Sequence, residues 1–313
     1  MKVFVTGVAG QLGHDVMNEL ASRGYEGVGS DLAPSYNGVM DGTAVTEMPY
    51  VSLDITDASS VKKTLLEVKP DVVVHCAAWT AVDLAEDDDK REKVRAINAD
   101  GTRHIADVCK TLNCKMVYIS TDYVFDGQGS KPWDPDCKDY KPLNVYGETK
   151  LEGELAVSDL LEKYFIVRIA WVFGKNGNNF IKTMLKVGKN HDRLTVVNDQ
   201  IGTPTYTLDL AVLLVDMLET EKYGYYHATN EGGYISWYDF ACEIFRQAAE
   251  MGYTDYDSEH LTVAPVTTAE YGISKAARPF NSRLDKSKLT ENGFSLLPSW
   301  QDALERYLKE IEF

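Results

Sequence analysis

The chain has 313 residues, 44% hydrophobic and 26% charged, with 23 Gly and 10 Pro, enough to bury one large core or two smaller ones. Its net charge of −16 argues against nucleic acid or an anionic membrane surface as partner. No apolar run approaches the roughly 18 residues that span a bilayer, the start MKVFVTG is too soon broken by glycine for a signal peptide, and five cysteines without a C-x-x-C pair suit a reducing cytoplasm.

KVFVT (2–6) reads as a first strand, followed by a helix over about 11–23 and a second strand at EGVGS (26–30). Gly7, Gly10 and Gly13 fall between the first strand and its helix, with Gln11 and Leu12 in the same turn. Such a turn lets the backbone approach a pyrophosphate, which then rests on the N–H groups of the helix N-terminus. Asp31, at the end of the second strand, can accept both ribose hydroxyls of an adenosine. VSLDI (51–55) is expected as a third strand whose ends, Asp54 and Ile55, flank the adenine. A helix near 58–68 leads to DVVVHCAA (71–78), where Ala77 and Ala78 leave room for a cofactor.

One long helix is expected over 86–112, with the acidic EDDDKRE in its dipole-favourable first turn rather than on a metal. The six histidines show no metal-ligand spacing, and no metal is assigned. KMVYIST (115–121) ends the fifth strand at Thr121, on the edge where open α/β sheets bind ligands. Tyr146 and Lys150 follow, one turn apart on one helix face. A cation there would pull the phenol's pKa down toward neutrality and fit it for general acid catalysis. Spacing alone is weak evidence, because Tyr271 and Lys275 repeat it in a late segment. Gly147 costs up to about 1 kcal/mol within a helix, so something should pass close to that turn.

A sixth strand is expected over YFIVRIAWVFG (164–174), after which prolines and GKNGNNF break the pattern, with helices near 207–219, 236–251 and 299–311. Strands apolar throughout, alternating with helices, indicate an α/β protein with a doubly wound, Rossmann-type parallel sheet and a smaller interleaved α/β substrate lobe. The expected division is 1–170 plus about 201–224 for the dinucleotide, and about 171–200 plus 225–313 for the substrate. An anionic ligand would need local cations, for which Arg168, Lys182, Lys186, Arg278 and Arg283 are the candidates.

The glycine turn, the Thr121, Tyr146 and Lys150 set and NADGT (98–102) resemble the extended short-chain dehydrogenase/reductases. GQLG, AAWTAVDLAE, STDYVFDG, PLNVYGETKLEGE, RIAWVFG, GNNFIKTML, NDQIGTPT and RPFNSRLD, which run from residue 10 to 285, resemble the dTDP-4-dehydrorhamnose reductase family within them. The resemblance implies NAD(P)H-dependent reduction of the C4 ketone of dTDP-4-dehydro-6-deoxy-L-mannose to dTDP-L-rhamnose. Tyr146 would donate the proton, Lys150 would steady the phenolate and hold the nicotinamide ribose, and Thr121 would orient the carbonyl. It also implies Trp79 and Asn98 beside the cofactor, and Thr80, Val82, Asp122, Trp171, Asn178, Asn179 and Arg278 around the sugar nucleotide. Arg278 would meet the diphosphate bidentately. Cys76 departs from the asparagine common before the alanines.

Asp31 opposes a 2′-phosphate and the following GSDLAPSYNG offers no cation, so NADH is expected to be preferred and NADPH tolerated. The expected partner is a small-molecule dTDP-sugar, with a homodimer left open. Two rivals remain. A dehydratase or epimerase of the superfamily is disfavoured by Tyr123, which stands where dehydratases carry glutamate. A non-catalytic regulatory subunit of the same shape would also keep the Tyr146 and Lys150 pair.

Overall fold

The β-branched runs of the first half assemble as parallel strands in the computed structural model, which describes residues 1–40, 43–272 and 274–313. In chain order the first six are β1 (Lys2–Thr6), β2 (Glu26–Asp31), β3 (Tyr50–Ser52), β4 (Val72–His75), β5 (Lys115–Thr121) and β6 (Tyr164–Ile169). Short strands β7 (Val172–Phe173), β8 (Arg193–Val197), β9 (Ile201–Gly202) and β10 (Thr205–Tyr206) precede β11 (Gly224–His227). The main sheet has the order β11-β6-β5-β4-β1-β2-β3, and each of its pairings is parallel. It contains the doubly wound order, with the reversal between β1 and β4 that creates a ligand crevice.

Helices α1 (Gln11–Ser22), α2 (Ala58–Val68), α3 (Arg91–Arg95), α4 (Gly101–Leu112), α5 (Val145–Leu160), α6 (Phe180–Gly188), α7 (Thr207–Leu218) and α8 (Trp237–Glu250) supply the outer layers. Alternate strand residues face opposite layers. Val3, Val5, Val72 and Val74 pack with Leu12 and Val16 of α1 and Leu210 and Leu214 of α7. Phe4, Val73, Met116 and Tyr118 pack with Val61 of α2, Ile105 of α4 and Val157 of α5. A third apolar cluster joins Phe173, Ile181 and Leu185 to Phe240 and Ile244 of α8 and to Leu304 and Tyr307 of a final helix, Trp300–Glu310. No helix among the described residues is long and apolar enough to cross a membrane.

Three elements differ from expectation. The helix expected over 86–112 is broken into a 3₁₀ turn at Leu84–Glu86, α3, a π-helical stretch at Ala96–Asp100 and α4. Glu86 and Asp87–Asp89 therefore precede α3, and only Glu92 falls in its first turn. One of them has a structural task, because Glu86 Oε1 accepts a 2.8 Å hydrogen bond from the N–H of Val145 and so caps α5. The third strand stops at Ser52. Asp54 takes both the N–H and the hydroxyl of Thr56 on Oδ1, at 2.9 and 2.7 Å, a local bond that competes with the ladder. The sixth strand ends at Ile169, because Trp171 sits at φ +52°, a left-handed conformation that side-chain-bearing residues rarely adopt.

Candidate active site

The carboxyl ends of β1, β2, β4 and β5 open on a cavity of about 860 Å³, at the upper end of the range for ligand sites. Gly7, Gly10, Gln11, Leu12, Gly13, Asp31, Asp54, Ile55, Ala77 and Ala78 line one part of it. Gly7 has φ +73°, and a Cβ on it would lie 2.7 Å from the Ala77 nitrogen. The N-cap Gly10 offers α1 no side-chain acceptor, which leaves the first-turn N–H groups to a bound anion. Asp31 is held still, with Oδ2 accepting from the N–H of Ala9 at 3.0 Å and Oδ1 from that of Leu32 at 2.8 Å.

Thr80, Val82, Thr121, Asp122, Tyr146, Lys150, Trp171, Asn178 and Arg278 line the rest. Asn144 caps α5 by accepting from the N–H of Gly147 at 2.8 Å, which places Tyr146 on the first turn. Gly147 meets a close neighbour, as expected, since a Cβ there would lie 2.4 Å from the carbonyl oxygen of Tyr123. The Tyr146 phenol shares the cavity with Thr121 and meets the Tyr123 ring edge-on at 5.5 Å. Lys150 is buried, donates to the carbonyl oxygen of Ile119 at 2.6 Å and lies 4.1 Å from the centre of the Tyr118 ring.

The electrostatics correct the sequence argument for this pair. Desolvation is the largest influence on Tyr146 and raises its pKa, and the neighbouring Thr121 hydroxyl opposes it. Burial likewise lowers Lys150 to about 7, against the opposing pull of Glu154 and Cys76. A desolvated ammonium is a weaker lever on the phenol than spacing suggested. The result is a phenol that keeps its proton at neutral pH, the form a proton donor requires. Burial also pushes the Cys76 thiol up to about 12 and the Asp122 carboxyl up to about 6.

Three expected site residues lie outside the cavity lining. Asn98 is buried in the π-helical stretch, bonded to the backbone of Trp79 and to the Thr149 hydroxyl, so it clasps Trp79 instead of facing the cavity. Trp79 itself donates through Nε1 to the carbonyl of Ala81. Asn179 caps α6 through Oδ1, and its Nδ2 bonds Gln11, Gly174 and Tyr307, which uses its polar atoms internally.

Of the five cations considered for an anion, Arg278 alone lines the cavity. Arg168 is fully buried on Glu154, and Lys182 donates to the carbonyls of Lys175 and Gly177. Arg278 donates to Asp83 at 2.7 Å and to the Tyr123 hydroxyl at 3.1 Å. The guanidinium is thus both salt-bridged and part of the cavity wall. Sequence reasoning missed Trp237, whose ring stacks on that of Trp171 at 3.7 Å and 16° and lines the cavity with Phe180 and Phe240. These aromatics come from α6 and α8, and no local motif links them to the sheet edge.

The whole chain, residues 1–313, matches the family model described as the RmlD substrate binding domain. It is 38% identical to the dTDP-4-dehydrorhamnose reductase of Aggregatibacter actinomycetemcomitans, covering 97% of each chain. The chain belongs to the dTDP-4-dehydrorhamnose reductase family. A crystal structure of a family member from Clostridium acetobutylicum superimposes with a TM-score of 0.85 at 38% identity, covering 99% of both chains. Another, from Bacillus anthracis in complex with NADP, gives 0.84 at 39% identity with the same coverage.

Proposed function

We propose that the protein reduces the C4 ketone of dTDP-4-dehydrorhamnose to dTDP-L-rhamnose with a nicotinamide cofactor. The observation that carries this reading is a half-buried, protonated Tyr146 that lines the same cavity as Thr121, Lys150 and the glycine turn. The residues fit a dinucleotide, since Gly10 leaves the α1 N-terminus uncapped by a side chain and Asp31 holds a fixed carboxylate beside it. The nicotinamide, when bound, supplies the hydride. Tyr146 gives its phenolic proton to the alkoxide that develops at C4, Thr121 orients the carbonyl, and Lys150 steadies the resulting phenolate. The stacked Trp171 and Trp237 offer an apolar wall to a deoxysugar or base. The same reading assigns residues 1–170 with about 201–224 to the cofactor and about 171–200 with 225–313 to the substrate; Ile181, Phe240 and Leu304 of the third apolar cluster follow that division, while β11 runs past 224 to His227 within the main sheet.

Loss of NADH absorbance on adding the keto-sugar nucleotide tests the proposal. Cofactor that binds without turnover would instead support a non-catalytic relative. Run with both cofactors, the assay also tests Asp31. The carboxylate repels a 2′-phosphate, so kcat/KM should favour NADH, and Asp31→Ala should shift the ratio toward NADPH. A wild-type preference for NADPH, or a ratio unmoved by the substitution, would remove Asp31 from ribose recognition.

Arg278→Ala is expected to raise KM for the sugar nucleotide and leave NADH affinity unchanged. The diphosphate would take the guanidinium arm now held by Asp83, whose side chain is 44% exposed and can turn to water. Weaker NADH binding with an unchanged substrate KM would reverse the assignment of the two parts of the cavity.

A further inference from the structure

We propose that the buried Glu154–Arg168 pair is a positioning element of the reaction, locking the catalytic helix and its entry segment in register and setting a carboxylate one turn beyond Lys150. The inference rests on the reductase reading above. Both side chains are fully buried, and the guanidinium donates two 2.8 Å bonds to the carboxylate, one to each oxygen. Its other arms reach the carbonyl of Pro135 at 3.1 Å and the Tyr140 hydroxyl at 3.2 Å. Pro135 and Tyr140 belong to the segment that feeds α5, so a single side chain on β6 ties together helix, entry segment and sheet. The rings of Phe125 and Tyr225 lie 4.9 and 4.8 Å from the guanidinium and exclude water from it.

A buried ion pair is a weak source of stability, since hydrophobic replacements often match it. Here it sits on the helix that carries both Tyr146 and Lys150, where a fixed charge acts on a desolvated ammonium. Lys150 is faced by Glu154 from its own helix, by His75 and Cys76 from the end of β4, and by Tyr118 from β5. Glu154 is faced by Arg168 from β6, Tyr118 from β5 and Tyr225 from β11. Arg168 also meets Tyr140 and His227, whose imidazole burial keeps neutral. Among these groups Glu154 and Cys76 favour the charged form of Lys150, and the Cys76 thiol is itself protonated.

The test is the pH profile of kcat for wild type, Glu154→Gln and the double variant Glu154→Gln/Arg168→Met. The charged form of Lys150 is present below its pKa and lost as pH rises through it. Removing the carboxylate leaves Arg168 uncompensated, so the alkaline limb should move to lower pH by about one unit. Removing Arg168 as well withdraws that repulsion, so the double variant should return toward the wild-type limb. A purely structural pair would lower kcat at every pH and leave the limb in place, and that result overturns the proposal. If wild type itself shows no turnover, the reductase reading fails separately. The pH dependence of NADH binding, read by fluorescence for the same three proteins, then carries the test. An unfolded single variant, detected by circular dichroism, leaves the double variant to decide, with a limb displaced further from wild type counting against the pair.

Discussion

Tyr146→Phe is expected to lose most of kcat, on the order of 10²–10⁴-fold for removal of a general acid, while NADH binding is nearly kept. The phenol lines the cavity beside Thr121 and is half-buried, so the substitution removes the proton and little of the shape. The repeated spacing at Tyr271 and Lys275 is a built-in control. Tyr271 is 40% exposed, and Lys275 pairs with Asp87 at 2.6 Å on the surface. Tyr271→Phe should therefore be close to neutral. Equal losses from the two substitutions, measured as kcat with saturating cofactor, would show that neither phenol is the donor.

Gly13→Ala is expected to weaken NADH binding by roughly 5- to 150-fold and to lower the thermal midpoint. A Cβ at this position would lie 2.3 Å from the carbonyl oxygen of Gly7 and 2.9 Å from Cα of Val8. Those are backbone atoms, which cannot rotate aside, so α1 must move away from the turn. Overpacking of this kind costs roughly 1–3 kcal/mol, and about 1.4 kcal/mol is a tenfold change in affinity. Gly10→Ala makes a graded comparison, because its Cβ would stand 3.1 Å from the same oxygen and should do less harm. If Gly13→Ala binds NADH as wild type does, the turn is not the close-packed cradle described above.

The two halves of the site differed in how far the chain could be read. The glycine-lined part was legible because its determinants are local. A strand, three glycines and a helix N-terminus occur within a dozen residues, and Asp31 ends the next strand. The elements that misled were those whose periodicity was sound but whose ends were fixed by side chains from elsewhere. An amphipathic run over 86–112 gives no hint that Asn98 clasps Trp79, or that Glu86 is taken by the N–H of Val145. Nor does an apolar run over 164–174 foretell the left-handed Trp171.

Sequence by itself determined the parallel sheet, because β-branched runs alternating with helices can bury two faces in few other ways. It also determined the location of Thr121, Tyr146 and Lys150 at that sheet's ligand-binding edge. Tertiary structure alone decided which Tyr-x-x-x-Lys copy is buried, that Arg168 serves Glu154 and not a ligand, and that Arg278 is already shared between Asp83 and Tyr123. It alone brought Trp237 onto Trp171. The reason is common to all four: desolvation and long-range pairing set the state of a charged or aromatic group, and neither quantity is a function of spacing along the chain.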